Sequence, residues 1–150
     1  MNAFEESLNG LLVDTFNYIL KFEEKSLRSI SDTPVTVTEA HILEAIGKNG
    51  GSASISEISA LQKVTLPTAT VAVKKLEKKG FIEKAPCTQD GRRAIVSLTQ
   101  LGKKLDMAHG IFHHKMIKDI TRRLTDSEKD VLLCAVRKLS DFFREKVEAN

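Results

Sequence analysis

Val64-Thr-Leu-Pro-Thr-Ala-Thr-Val-Ala-Val-Lys-Lys-Leu-Glu-Lys-Lys-Gly80 carries apolar residues at Leu66, Ala69, Val73 and Leu76, spaced 3, 4 and 3. That spacing lines one face of an α-helix, because side chains three and four apart stack on the same side. Thr65 predicts an N-cap, Pro67 suits the first turn, and Gly80 supplies a left-handed stop. The other face holds Pro67, Thr68, Val71, Lys74, Lys75 and Lys78. Its first half is small and uncharged and its second half is cationic, an unusual outer face for a plain surface helix. A helix that enters a DNA groove needs this arrangement, with small side chains at base edges and cations at phosphates.

The flanking sequence extends the pattern on both sides. Ser54-Ile-Ser-Glu57 is a capping box that opens a short helix expected to bury Ile55, Ile58 and Leu61. Gln62–Thr65 then lead into the groove helix, which suggests a helix-turn-helix whose turn lacks the usual glycine. Beyond Gly80, Phe81–Cys87 and Arg93–Leu98 are short, partly alternating and β-branched, with Thr88-Gln-Asp-Gly91 between them. Asp-Gly between such runs predicts a hairpin, and a helix-turn-helix followed by a hairpin is a winged helix. The hairpin tip presents Arg92 and Arg93, two guanidinium groups within reach of a minor groove or a phosphate backbone.

Upstream, residues 3–29 read as one long helix with a wide apolar stripe of Phe4, Leu8, Leu11, Leu12, Phe16, Ile19 and Phe22. Ser31-Asp-Thr-Pro34 breaks it, the capping box Thr36-Val-Thr-Glu39 opens a second helix to about Gly47, and Gly47-Lys-Asn-Gly-Gly51 is a loop. Downstream, Thr99 caps a helix to about Arg123, and Thr125-Asp-Ser-Glu128 opens the last one. The expected fold class is mainly α, an α+β winged helix in a single domain spanning 1–150. Residues 36–98 form the winged helix-turn-helix part, and 3–30 and 99–148 form dimerisation helices. Six of the seven phenylalanines lie outside the winged-helix segment, so the terminal stripes are broader than one small neighbouring domain covers. A packed monomeric bundle is the alternative for those ends.

At 150 residues, 41% hydrophobic and 29% charged, the composition is that of an ordinary soluble globular domain. The longest run free of Asp, Glu, Lys and Arg is Val64–Val73, ten residues, against the roughly 20 that a spanning helix needs. Glu5 and Glu6 replace the basic start of a signal peptide, and Cys87 and Cys134 form no disulfide framework, so a cytoplasmic protein is expected. The net charge of +3 is unevenly distributed. Residues 1–64 hold 5 basic and 9 acidic side chains, residues 65–93 hold 7 and 3, and residues 94–150 hold 11 and 8. Positive charge starting at the groove helix points to a polyanionic partner. Catalysis finds no support: no glycine-rich phosphate loop, no Ser/His/Asp context and no paired carboxylates at a strand end are present.

With these motifs in place, the chain resembles the MarR family of bacterial transcriptional regulators over nearly its whole length. Pro67-Thr-Ala-Thr70 with Lys75-Leu-Glu-Lys-Lys-Gly80-Phe-Ile82 looks like that family's recognition helix and its exit. Asp90-Gly-Arg92-Arg93 with Leu98-Thr-Gln-Leu-Gly102 looks like its wing signature, in which an Asp steadies an Arg that reaches DNA. The arginine usual within the recognition helix is absent, since Ala72 and Val73 follow Val71. A narrower similarity, to the fatty-acid-synthesis repressor branch of Gram-positive bacteria, rests on Glu23-Glu-Lys-Ser-Leu-Arg28, His41, Ile46-Gly-Lys48, Val64-Thr-Leu66 and Phe112-His-His-Lys-Met116. That branch binds an inverted-repeat operator and responds to acyl chains carried on acyl carrier protein.

The resemblance implies a homodimeric repressor on a double-stranded, pseudo-palindromic operator, with recognition helices about one turn (~34 Å) apart. The DNA-contacting set would be Thr65, Pro67, Thr68, Thr70, Val71, Lys74, Lys75, Lys78, Asp90, Arg92 and Arg93. Thr68, Thr70 and Val71 would meet base edges, the three lysines phosphates, and Arg92 the minor groove. An acyl-chain pocket would draw on Phe16, Phe22, His41, Leu105 and Phe112, whose bland alternative is core packing. No cofactor is required. Zinc is the alternative effector: His109 and His113 are four apart on one helix face and His41 could approach them, as in the family's zinc-sensing branch. That branch adds a carboxylate, and neither Glu23 nor Glu24 is expected to match it. A redox switch has only Cys87 and Cys134 to draw on. An alternative of another class is a dimeric interaction module that binds no DNA.

Overall fold

The computed structural model describes residues 1–86, 89 and 93–149. Its elements run α1 (Ala3–Ile30), α2 (Val37–Lys48), β1 (Ser52–Ser54), α3 (Ile55–Gln62), α4 (Leu66–Lys78), β2 (Ile82–Pro86), β3 (Ala94–Leu98), α5 (Gln100–Thr121) and α6 (Asp126–Glu148). Two compact units result, residues 1–112 and 113–150, with the break inside α5. No helix among the described residues is long and apolar enough to cross a membrane.

Local chemistry sets the helix starts. Reciprocal capping boxes pair Thr36 with Glu39, Ser54 with Glu57 and Thr125 with Glu128, as expected, and Asn2 with Glu5 adds one at α1. The turn between α3 and α4 manages without glycine because Lys63 itself adopts φ 52°, the left-handed conformation. Hydrogen bonds hold it there: the Val64 N–H donates to the Ser59 carbonyl at 3.1 Å, and the Ser59 hydroxyl to the Val64 carbonyl at 2.7 Å. Gly80, at φ +81°, ends α4 as anticipated, with the Phe81 N–H closing on the Leu76 carbonyl at 3.0 Å.

The sheet is antiparallel in the order β1-β3-β2, with Ser52 opposite Ser97 and Ile82 opposite Leu98. Strand β1 was not expected. Three residues are too few to show alternation, and only pairing with β3 makes them a strand. The core of the first unit gathers Ile42, Leu43 and Ile46 of α2, Ile58 of α3, Val73 and Leu76 of α4, Val96 of β3 and Phe81. Two expected core residues are exposed. Leu66 (50%) is the first residue of α4, before the helix reaches the core, and Leu61 (52%) lies at the end of an eight-residue helix that turns only Ile58 fully inward.

The exit from the wing is fixed by the Leu98-Thr-Gln-Leu-Gly102 motif. The Thr99 N–H donates to the Phe81 carbonyl at 3.1 Å, and its hydroxyl donates to the Gly80 carbonyl at 2.7 Å and accepts from the Gly102 N–H at 3.1 Å. A Cβ on Gly102 would collide with the Phe81 carbonyl oxygen. Thr99 thus ties the start of α5 to the end of α4, and Gly102 permits the approach. On α1, the apolar stripe from Phe4 to Phe22 remains exposed. In the second unit α6 buries none of its residues, leaving Val131, Leu132, Val136, Phe142, Phe143 and the thiol-bearing Cys134 exposed.

Candidate nucleic-acid interface and a buried acid–histidine centre

Helix α4 divides as its sequence pattern requires. Ala69, Ala72, Val73 and Leu76 are buried, whereas Pro67, Thr68, Val71, Lys74, Lys75 and Lys78 are exposed. Thr65 caps the helix by accepting from the Thr68 N–H at 3.3 Å, and the two hydroxyl oxygens lie 2.8 Å apart. Thr70 differs from expectation. Half-buried, it donates its hydroxyl hydrogen to the Leu66 carbonyl at 2.8 Å, so toward solvent it can only accept.

The four lysines of this helix end are not equivalent. Lys79 Nζ reaches both carboxylate oxygens of buried Glu39, at 2.9 and 2.7 Å, and so joins the end of α4 to the start of α2. Glu39 Oε2 also accepts from the Thr36 N–H at 2.9 Å. Beside this contact a cleft of about 470 Å³ opens between the two helices, lined by Thr36, Thr38, Glu39, Pro67, Thr68, Val71, Ala72 and Lys75. In the hairpin, Lys84 of β2 pairs with Glu77 of α4 at 3.3 Å, and Arg93 stands exposed just before β3. Cys87, Asp90 and Arg92 lie outside the described residues.

A second constellation links α1, α2 and α5. Glu23 Oε1 accepts from Nε2 of His41 at 2.8 Å and from Nε2 of His109 at 2.7 Å, with both Glu23 and His109 buried. Burial alone would raise the Glu23 pKa. The hydrogen bonds from His109 and His41, together with the electrostatic attraction of those side chains, more than offset it and hold the carboxyl below its ordinary value. The Phe112 ring stacks on His109 at 6.3 Å, and Phe22 lies 5.0 Å from Phe112. Of the expected acyl-pocket residues, Phe22, His41 and Phe112 therefore gather around this centre. Leu105 belongs to the main core, and Phe16, 63% exposed, stands two turns back along α1.

Glu23, which does not align with the zinc-sensing branch's carboxylate, nonetheless lies against His41 and His109. One carboxylate oxygen and two imidazole nitrogens, with donor atoms within 4.8 Å of one another, fit a transition-metal site in chemistry and spacing. His113 follows one turn along α5. Glu23 could have been found in the sequence. Ile19, Glu23 and Leu27 are spaced by four, which places an acid on the apolar face of α1, while neighbouring Glu24 is exposed beside Arg28 at 3.9 Å. One turn before His109, Asp106 packs on Gly47 of α2, where any larger residue would meet its carboxylate. Burial first, and then the charge of Glu44, raise the Asp106 pKa.

Comparison with known proteins places this geometry. A model of the MarR family matches residues 33–93. The crystal structure of Streptococcus pneumoniae FabT in complex with DNA superposes with a TM-score of 0.88 at 30% identity, covering 94% of this chain and 98% of that one. The chain belongs to the MarR family. Curated relatives include the HTH-type transcriptional regulator BilQ of Clostridium symbiosum, 36% identical over 95 residues (63% of this chain, 65% of that protein). Another is the transcriptional regulator ZitR of Lactococcus lactis subsp. cremoris, 26% identical over 117 residues (76% and 79%). This MarR-family chain is a winged-helix transcriptional regulator of a non-enzymatic family.

Proposed function

We propose that the chain binds a pseudo-palindromic DNA operator as a homodimer and represses transcription. The observation that carries this is the exposed face of α4, small at Pro67, Thr68 and Val71 and cationic at Lys74, Lys75 and Lys78, on a fold that superposes on a DNA-bound relative. Thr68 and Val71 meet base edges in the major groove, with the Val71 methyls suited to a thymine methyl, and the lysines meet phosphates. By the resemblance of Asp90-Gly-Arg92-Arg93 to the family's wing signature, Arg92 is the residue proposed to enter the flanking minor groove. The exposed apolar stripes of α1 and α6 support dimerisation, since a monomer rarely leaves so many large apolar side chains in water.

The effector is an acyl chain, presented on acyl carrier protein, in the control of fatty-acid synthesis. The apolar rings of Phe22 and Phe112 are what supports this, and the Glu23–His41–His109 centre beside them would couple such a ligand to α2, the first helix of the DNA-binding part. A second reading has its own observation. The carboxylate and the imidazoles of half-buried His41 and buried His109 suit zinc, and would make the chain a zinc-responsive regulator. Native mass spectrometry of protein purified without chelator separates the two. The acyl reading expects a dimer mass free of metal that accepts acyl groups. Near-stoichiometric zinc, lost in His109→Ala, would overturn it.

A further inference from the structure

We infer that the cleft between the start of α2 and the outer face of α4 seats a stretch of the operator's sugar-phosphate backbone, making Thr36 and Thr38 DNA-contacting residues. The inference rests on the proposal that α4 faces DNA. Thr68, Val71 and Lys75 line both the groove-facing side of α4 and this cleft, so the two surfaces are continuous. With α4 in a groove about 12 Å wide, the opposite wall of the cleft borders the groove edge, where the phosphates run.

The lining suits a phosphodiester. Thr36 and Thr38 expose hydroxyls on one wall, and Lys75 places an ammonium on the other. Thr36 Oγ1 accepts from the Glu39 N–H at 3.2 Å, which leaves its own hydrogen available to donate outward. Glu39 is the one acid in the lining. Its carboxylate is buried and held by Lys79 at 2.7 Å and by the Thr36 N–H at 2.9 Å, so it presents little negative charge to an incoming anion.

The test uses the full-length protein and a fluorescent 30-base-pair duplex of random sequence, titrated by anisotropy across a salt series. Thr38→Val removes one neutral donor and weakens binding about three- to tenfold without changing the salt slope. Thr38→Lys strengthens binding and steepens the slope by about one unit for each subunit on the DNA. Thr38→Glu weakens binding at least tenfold. An acid in the first turn of a helix stabilises it, so an undiminished melting temperature shows that this loss is not misfolding. Lys75→Ala is the control for α4. If Thr38→Val and Thr38→Glu bind like the wild type while Lys75→Ala binds more weakly, the backbone seat is wrong and the α4 reading stands. If Lys75→Ala is also without effect, both fail together.

Discussion

Lys78 and Lys79 are adjacent in sequence, yet Lys78 stands exposed while Lys79 is tied to Glu39, and Lys79→Ala tests that division. The Lys79 ammonium bridges both oxygens of Glu39, at 2.9 and 2.7 Å, with the Glu39 side chain 3% exposed and that of Lys79 26% exposed. Removing one partner of a buried pair costs about 3–5 kcal/mol, because the other charge is left behind. Two features reduce the figure here. Water reaches the partly exposed Lys79 site, and Glu39 keeps its bond from the Thr36 N–H. A loss of about 2 kcal/mol follows, near the value of one hydrogen bond to a charged group. For a chain of this size that is roughly 4–8 °C in Tm. Lys78→Ala, at an exposed position, should stay within about 0.5 kcal/mol. Both are read by thermal and urea denaturation at one fixed protein concentration, since the proposed dimerisation would make Tm concentration-dependent. Equal stability of the two variants would refute the assignment of Lys79 as the tie between α2 and α4.

Gly102→Ala should destabilise by roughly 1–3 kcal/mol, because its methyl meets the Phe81 carbonyl, and urea denaturation reads the loss. Asp106→Asn should stabilise the protein near neutral pH. The raised pKa means the folded state binds the Asp106 proton more readily than the unfolded chain, so the ionised form costs stability above that pKa and the cost fades as pH falls through it. The advantage of the variant should therefore shrink toward the ordinary carboxylate value of about 3.9, and denaturation curves across pH show whether it does. Arg92→Ala should weaken operator binding by roughly 1–3 kcal/mol in a mobility-shift titration and leave Tm unchanged.

Elements with local signatures were readable from sequence. Thr36 with Glu39, Ser54 with Glu57, and Thr125 with Glu128 each mark a helix start through contacts three residues apart, which sequence displays directly. The outer face of α4 was legible for the same reason, since a 3.6-residue period assigns its sides. What depends on distant partners was not. Strand β1 exists only through β3, the role of Lys79 is set by Glu39 forty residues away, and Glu23 meets His109 across 86 positions. Thr70 is intermediate: its back-bond to Leu66 is local, but sequence offers a threonine hydroxyl both helix and solvent as partners.

Binding-site selection from a pool of random duplexes at low salt tests the central claim most directly. An operator-binding homodimer should enrich an inverted repeat with half-sites centred about 10 base pairs apart. A pool that shows no enrichment after repeated rounds would contradict sequence-specific operator binding and leave the dimeric module without DNA affinity as the better account.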